Sequence, residues 1–317
     1  METLDIRKVW VILNPVAGKG WAVKQYPVIE RFFKEKGQDF EIYQTKEPGD
    51  GLKFVQECPF DARDAVVAAG GDGTSNEVVN GLLTHKTPLA RLPLFGLLPI
   101  GRGNDFSSSV GISEKPLEAL ETLLHGRERP LDAGLVKGGF FPDGRYFVNG
   151  IGIGFDTKVG FDAANMRHIH GAFAYTLGAV YNVARFEASP ILEIHYGDKQ
   201  VTLPAIIVSI MNGRRMGGSF FMGPSAELDD GLFDLCLLRH PHSRRRLLYL
   251  VLQYFKGTQV TKEEATVGRA AEFHLKALEG GMAAHCDGET VCYEGKDLTI
   301  TCVPHALRLI GLPDEEP

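Results

Sequence analysis

No stretch of the 317 residues reaches the ~18 uninterrupted apolar residues that a membrane-spanning helix needs. The opening METLDIRKVWVILNP has neither the apolar core nor the cleavage site of a secretory signal, so a cytosolic start is expected. Low-complexity tracts and internal repeats are also missing, which sets aside solenoids and linker-like segments. Cysteine is sparse: Cys58, Cys236, Cys286, Cys292 and Cys302 form no CxxC pair and no Cys/His cluster with zinc spacing. Reduced thiols are the simplest consequence. Basic residues do not dominate either. A net charge of −6 and a pI near 5.9 argue against a surface made for nucleic acid, which is not an expected partner, although a local basic patch stays compatible with them. What is present, 44% hydrophobic and 23% charged residues, is an ordinary globular composition in a chain long enough for two domains.

Over the first 135 residues, short apolar runs alternate with helical patterns. Lys8 to Leu13 reads as a buried strand; Val28, Ile29, Phe32 and Phe33 then recur at helical spacing, up to a terminating Gly37. Phe40 to Thr45 follows as a strand, DGLKFVQEC as a helix, Asp64 to Gly70 as a strand, and about Thr74 to His85 as a helix. Leu92 to Gly101 and KPLEALETLLHG complete the series. Such alternation predicts a Rossmann-like α/β domain, a mostly parallel sheet whose ligands lie beyond the carboxyl ends of its strands. From about Leu131 the sequence turns β-rich, with hairpin turns expected at Tyr196 to Lys199 and at Glu294 to Asp297. A second, mainly antiparallel domain is expected there, interrupted by helices at about Gly171 to Phe186 and about Ser243 to Phe255.

AAGGDGTSNEVVNGL, Ala68 to Leu82, sets three glycines, a carboxylate and a hydroxyl within five positions directly behind a strand. Glycine lets backbone approach an anion, and the N–H groups of the helix start that follows favour phosphate. A plain turn capped by Thr74 is the alternative. Two further loops of this kind, NPVAGKG from Asn14 and PIGRGNDF from Pro99, fall at other strand ends of the same half, so three converge on the ligand edge. Neither familiar nucleotide signature fits. Gly18, Lys19 and Gly20 lack the Ser/Thr and upstream glycine of a P-loop, and no HRD or DFG pair is present. GIGIG, Gly150 to Gly154, spaces its glycines by two and reads as backbone packing.

The ordered set of NP-x-A-G-x-G at Asn14, GGDGT at Gly70, P-x-G-x-x-ND-F at Pro99, N-G-x-x-x-GG at Asn212, DDGLFDL at Asp229 and CDGE at Cys286 resembles the diacylglycerol kinase catalytic-domain family. That family includes bacterial soluble lipid kinases, sphingosine kinases and ceramide kinase. The resemblance spans nearly the whole chain. It implies an α/β nucleotide-binding domain of the NAD-kinase and diacylglycerol-kinase type over residues 1–130, rejoined by about 306–317, and a C-terminal β-sandwich over 131–305 that takes the lipid. It also implies ATP and Mg²⁺ as cofactors, and transfer of the γ-phosphate to the hydroxyl of diacylglycerol or a similar lipid in a cleft between the domains. The lipid would be met at the membrane surface in transient peripheral contact; a homodimer is left open. Two alternatives stand beside it: an NAD kinase, which shares a GGDGT loop, and a nonenzymatic regulator that binds lipid or nucleotide.

Phosphoryl transfer needs a carboxylate to accept the hydroxyl proton, and the resemblance gives that part to Asp287. An Asp-Gly hairpin turn is the other reading of the same pair. Nucleotide contacts are implied for Asn14, Thr45, Gly70, Gly71, Asp72, Gly73, Thr74, Asn76, Gly101, Arg102, Asn104 and Asp105. Asp72, the only carboxylate in the glycine turn, is placed to orient the catalytic Mg²⁺ through water or to hold the nucleotide. Thr45 could instead cap the following turn, and Asn104 with Asp105 a helix. Arg102 departs from the Thr or Ser common in the family, replacing a hydroxyl with a guanidinium able to pair with phosphate. A structural Mg²⁺ is implied at the Asp230 side chain with backbone oxygens of Glu227 and Leu232, against the alternative of a solvated acidic turn. Finally, Arg244, Arg245 and Arg246 precede LLYLVLQYFKG. This helix could dock on anionic lipid, or could simply pack Leu247, Leu250, Val251 and Tyr254 on the sandwich.

Overall fold

The structure, a computed structural model, describes residues 4–155, 157, 189–218 and 220–312. Two compact units divide the chain: Met1–Leu131 with His305–Pro317, and Asp132–Pro304.

In the first unit, strands β1 (Val9–Leu13), β2 (Phe40–Gln44), β3 (Ala65–Gly70) and β4 (Leu94–Pro99) lie parallel in the order β2-β1-β3-β4. β1, β3 and β4 are buried at every position, as strands covered on both faces must be, which is why they read as unbroken apolar runs. Residues 305–311 return beside β4, with Leu309 paired to Phe95. The helices are α1 (Ala17–Lys36), α2 (Asp50–Glu57), α3 (Asp72–Leu83), α4 (Asp105–Ser109) and α5 (Pro116–His125). Positive φ at Gly18, Lys19 and Gly20 breaks the first turn of α1, and left-handed Gly37 closes its end. α3 starts at Asp72, two residues before the expected position, so Thr74 lies inside its first turn instead of capping it. Val78, Val79 and Leu82 are fully buried along its inner face.

Asp64, just before β3, anchors this unit's other edge. It is fully buried, and its carboxylate accepts hydrogen bonds from Arg7 Nε and Nη2 (2.7 Å each), Trp10 Nε1 (3.1 Å) and the Asp61 N–H (3.1 Å). Burial pushes this carboxyl up, but the Arg7, Asp61 and Trp10 donors outweigh it and hold it below its ordinary range. The stability it contributes is therefore complete above the unfolded value of about 3.9 and is lost as pH falls through the folded one. Asp64→Asn is expected to cost roughly 2–4 kcal/mol in urea unfolding at neutral pH. The deficit should shrink below about pH 4, where wild type protonates as well.

β5 (Arg127–Gly138) leads into the second unit, which continues with β6 (Phe141–Phe147), β7 (Gly150–Gly154), β8 (Ile191–Tyr196), β9 (Lys199–Met211), β10 (Phe233–Arg239), β11 (Ala265–Ala270), β12 (Glu272–Glu279), β13 (Met282–Cys286), β14 (Glu289–Gly295) and β15 (Asp297–Gly311). These form a β-sandwich. One sheet runs β14-β13-β7-β9-β10-β11 and the other β9-β8-β12-β15-β5-β6; β9 serves both, pairing β8 over residues 199–204 and β10 over 205–211. Between them lie Phe147, Ile151, Leu192, Ile194, Val208, Phe233, Phe273 and Leu298. GIGIG is the packing element expected: a Cβ on Gly150 would press on Met211 Sδ, and one on Gly154 on the Ile206 carbonyl, at 2.5 Å each.

Gly197 and Asp198 close the β8–β9 hairpin as expected, Tyr196 pairing with Lys199. The turn at residues 294–297 is different. It is no hairpin, because β14 pairs with β13 while the chain crosses to the other sheet, where β15 pairs with β12. The Ala277 N–H, bonded to the Lys296 carbonyl (2.8 Å), draws it there. The helix expected at about 171–186 lies outside the described residues. The other is α6 (Arg244–Gln253), begun by Ser243, whose Oγ accepts the Arg246 N–H (3.2 Å). Among the described residues no helix is long and apolar enough to cross a membrane.

Candidate active site

Because β1 to β4 run parallel, the segments after them open on one edge of the sheet. Three of these segments touch. The Ile100 and Gly101 N–H groups both donate to the Gly70 carbonyl (2.8 and 3.0 Å), carrying the β3–β4 pairing into the loops. A Cβ on Gly101 would strike Gly71 Cα and stand 2.6 Å from Asn104 Oδ1; one on Gly18 would stand 2.6 Å from the Ile100 carbonyl oxygen. Glycine at 101 and at 18 is thus required by main chain meeting main chain. Asn14 Nδ2 donates to Thr74 Oγ1 (3.3 Å), and Asn14 Oδ1 accepts the Val16 N–H (3.1 Å). Asp72 Oδ1 accepts the Phe106 N–H (3.1 Å), tying the second loop to the third.

The result is a backbone surface with few side chains in the way. Gly71 precedes the first turn of α3 and gives it no side-chain cap. Burial pushes the Asp72 carboxyl above its ordinary range, against the pull of the backbone N–H groups of Phe106, Asp105 and Asn104. Asn104 is held in the left-handed region (φ 53°), nearly buried, with Nδ2 donating to the Gly101 carbonyl (3.3 Å). Its Oδ1 is buried and has no hydrogen-bond partner among the described residues. A buried acceptor left so costs about 1–3 kcal/mol, and a ligand that donates to it recovers that cost.

The other expected nucleotide residues differ in exposure. Gly73 and Arg102 are exposed, and Thr45 is half-buried with its N–H on the Leu13 carbonyl (2.9 Å). Thr45 does not cap the next turn; Asp50 does, accepting the Lys46 N–H (2.8 Å). Asp105 begins α4, and Asn104 precedes it without a side-chain cap bond. Asn76 is fully buried, its Oδ1 accepting from Asn80 Nδ2 (3.2 Å) along α3. Glu77 was not foreseen. It takes the N–H groups of Gly49 (2.8 Å) and Gly51 (3.0 Å), so α3 holds the start of α2. The spacing Thr74-x-x-Glu77 is its only trace in the sequence, and it reads as a local capping box.

Asp287 belongs to the second unit. It and Gly288 form the two-residue β13–β14 turn with φ of 46° and 84°, so the hairpin reading is correct as geometry. Yet the side chain does not point to solvent. It is almost fully buried, and its carboxylate accepts the N–H groups of Val148 (2.8 Å), Asn149 (3.0 Å) and Gly150 (3.1 Å). Asn212 steadies that donor turn, its Nδ2 bonding the carbonyls of Asp132 (3.0 Å) and Val148 (2.8 Å). A turn residue needs no such cradle, whereas a carboxylate that must be presented in one orientation does.

In the acidic loop of the second unit a guanidinium meets the carboxylates. Asp230 Oδ1 accepts the Leu232 N–H (3.0 Å), Asp230 Oδ2 is ion-paired with Arg269 Nη2, and Arg269 Nε also holds Asp234 Oδ2 (3.1 Å). Among the described residues no group of three or more His, Cys, Asp and Glu could hold a metal. The expected structural Mg²⁺ would use one carboxylate, that of Asp230, with backbone oxygens of Glu227 and Leu232, and Arg269 already lends this carboxylate a positive charge. Burial, with Glu227 adding to it, pushes Asp234 up to about 6. The melting temperature of the wild type is expected to be indifferent to EDTA, and Arg269→Gln to lower stability by about 1–3 kcal/mol. A fall in wild-type melting temperature on chelation would return the metal to this loop.

Residues 8–136 match the model of the diacylglycerol kinase catalytic domain, and residues 149–311 that of the YegS C-terminal NAD kinase beta sandwich-like domain. A "Diacylglycerol kinase" of Bacillus subtilis is 29% identical, with 87% of this chain and 91% of that one aligned. A "Probable lipid kinase YegS-like" of Pseudomonas aeruginosa is 30% identical, with 99% and 97% aligned. A crystal structure from Bacillus anthracis str. Sterne superposes with a TM-score of 0.78 at 25% identity, covering 98% of this chain and 99% of that one. With matched models in both units and relatives aligned almost end to end, the chain belongs to the diacylglycerol kinase catalytic-domain family.

Proposed function

We propose that the protein is an ATP- and Mg²⁺-dependent lipid kinase that transfers the γ-phosphate of ATP to the hydroxyl of diacylglycerol or a similar lipid, working in the cytoplasm in transient contact with the membrane surface. The observation that carries this reading is the meeting of Gly71 and Gly101 main chain at the carboxyl edge of a parallel sheet, beside the unpartnered Asn104 Oδ1. Backbone so exposed suits phosphate oxygens. Asn104 Oδ1 is an acceptor, so it suits a ribose hydroxyl or a water carried by Mg²⁺, not phosphate itself. With the Asp72 carboxylate it makes a pair of hard oxygens fit for the outer waters of that ion. Mg²⁺ arriving with ATP would screen the triphosphate charge. Asp287, held by three backbone donors, would accept the proton of the lipid hydroxyl as it attacks.

Incubation with ATP and a mixture of diacylglycerols, ceramide, sphingosine and NAD tests the reading. A phosphorylated lipid supports it, phosphorylated NAD assigns an NAD kinase, and ATP binding without any product assigns a regulator. Arg102, exposed at the rim of the third loop, is expected to reach the triphosphate. Arg102→Ala should raise the ATP dissociation constant roughly ten- to a hundredfold through loss of a charge-assisted bond. Calorimetry giving an unchanged constant would leave this guanidinium outside the nucleotide site.

A further inference from the structure

Helical spacing divides α6 into two stripes, and both are apolar. Leu247, Leu250 and Val251 face inward, joined by Tyr254, in a cluster with Ile207, Met211 and Phe220. On the opposite side Arg245, Leu248, Tyr249 and Leu252 recur at i, i+3, i+4 and i+7, with Leu248, Tyr249 and Leu252 exposed by 37%, 41% and 50%. A helix that only packed on its own unit would be polar there.

Cations surround the outer stripe. Arg244, Arg245 and Lys256 are exposed, and among the described residues no ion pair joins Arg244 or Arg245 to a carboxylate. Arg246 and Lys262 lie over the Tyr249 ring, 5.0 and 5.7 Å from its centre. The neighbouring acids, Glu263 and Glu264, are both held by Arg246 (3.4 and 2.6 Å). In a chain of net charge −6 this local excess is a departure from the rest of the surface. Nor does it serve the helix, because cations at an N-terminus oppose the helix dipole.

We infer that the outer face of α6 docks the protein on an anionic lipid surface. Leu248, Tyr249 and Leu252 enter the headgroup boundary, while Arg244, Arg245 and Lys256 lie among the lipid phosphates, their stems along the apolar stripe. The purpose of this docking rests on the lipid-kinase reading; its geometry does not.

Cosedimentation of the full chain, without nucleotide, on phosphatidylcholine vesicles with and without phosphatidylglycerol tests it. Wild type should bind the mixed vesicles and be released by salt. Arg244→Gln with Arg245→Gln should weaken binding roughly tenfold or more, as loss of two surface cations predicts. Leu248→Ser with Leu252→Ser should weaken it to a similar degree, of order tenfold. Unchanged melting temperatures are expected for both pairs, whose side chains are exposed. Turnover on a short-chain diacylglycerol below its micelle limit should also be unchanged in both, which separates docking from chemistry. Vesicle binding by either pair equal to wild type overturns the inference, as does equal binding to phosphatidylcholine alone. A dimer present in wild type and lost in the leucine pair overturns it too, assigning the face to a second copy. If wild type binds anionic vesicles as described but phosphorylates no lipid, the docking stands and the kinase reading falls.

Discussion

Asp287→Asn is expected to cut turnover by roughly 10² to 10⁴ while ATP affinity stays at the wild-type value. The amide is nearly the size of the carboxylate but cannot take the hydroxyl proton. It also turns an N–H₂ toward the backbone donors of Val148, Asn149 and Gly150, so a stability loss of about 1–3 kcal/mol should accompany it. That loss must be separated from the catalytic one. Asn212→Ala does so, because it loosens the same donor turn through Asp132 and Val148 without touching the carboxylate. Stability should fall comparably in both variants, but turnover should collapse only in Asp287→Asn. Equal turnover in the two would make Asp287 a strut of the β13–β14 hairpin and nothing more.

Gly101→Ala is expected to weaken nucleotide binding at least roughly tenfold through a single methyl group. Its Cβ would strike Gly71 Cα and press on Asn104 Oδ1, and main chain cannot swing away as a flexible side chain does. The second and third loops must part, at a cost of about 1–3 kcal/mol in strain. Parting them displaces the backbone groups that would meet phosphate, so the ATP dissociation constant should rise at least roughly tenfold, equivalent to 1.4 kcal/mol or more. Gly20→Ala is the matched control: among the described residues none but its neighbours along the chain comes within 4 Å of its Cβ, and backbone strain at φ 83° is what opposes it. Calorimetry with both variants decides. An unchanged ATP constant in Gly101→Ala would move the nucleotide away from these loops.

The strands of the first unit were legible because β1, β3 and β4 are buried on both faces, and burial of that kind writes itself as unbroken apolar sequence. The glycine loops were legible as loops, but not what each glycine is for. Gly101 is required by Gly71, and Gly18 by Ile100, contacts made across tens of residues that no local spacing encodes. Glu77 was missed for the same reason: its partners, Gly49 and Gly51, come from another helix start. At residues 294–297 the turn chemistry was right and its topology wrong, since Gly295 and Lys296 mark a change of direction without saying whether β15 returns to β14 or crosses to β12. Asp287 is a turn residue by backbone, as the Asp-Gly pair suggested, but the burial of its carboxylate was not legible, because the donors of 148–150 lie far away in sequence. In the acidic loop at 227–232 the Arg269 partner of Asp230 was not legible, because it lies far away in sequence.

The most direct test of the account is transfer of label from ATP carrying a radioactive γ-phosphate, in the presence of Mg²⁺, to diacylglycerol in vesicles containing phosphatidylglycerol, followed by organic extraction. The account predicts labelled phospholipid in the organic phase with wild type, and a yield lower by roughly 10² or more with Asp287→Asn. Wild-type protein that binds ATP yet leaves all label in the aqueous phase, across diacylglycerol, ceramide and sphingosine alike, would contradict it.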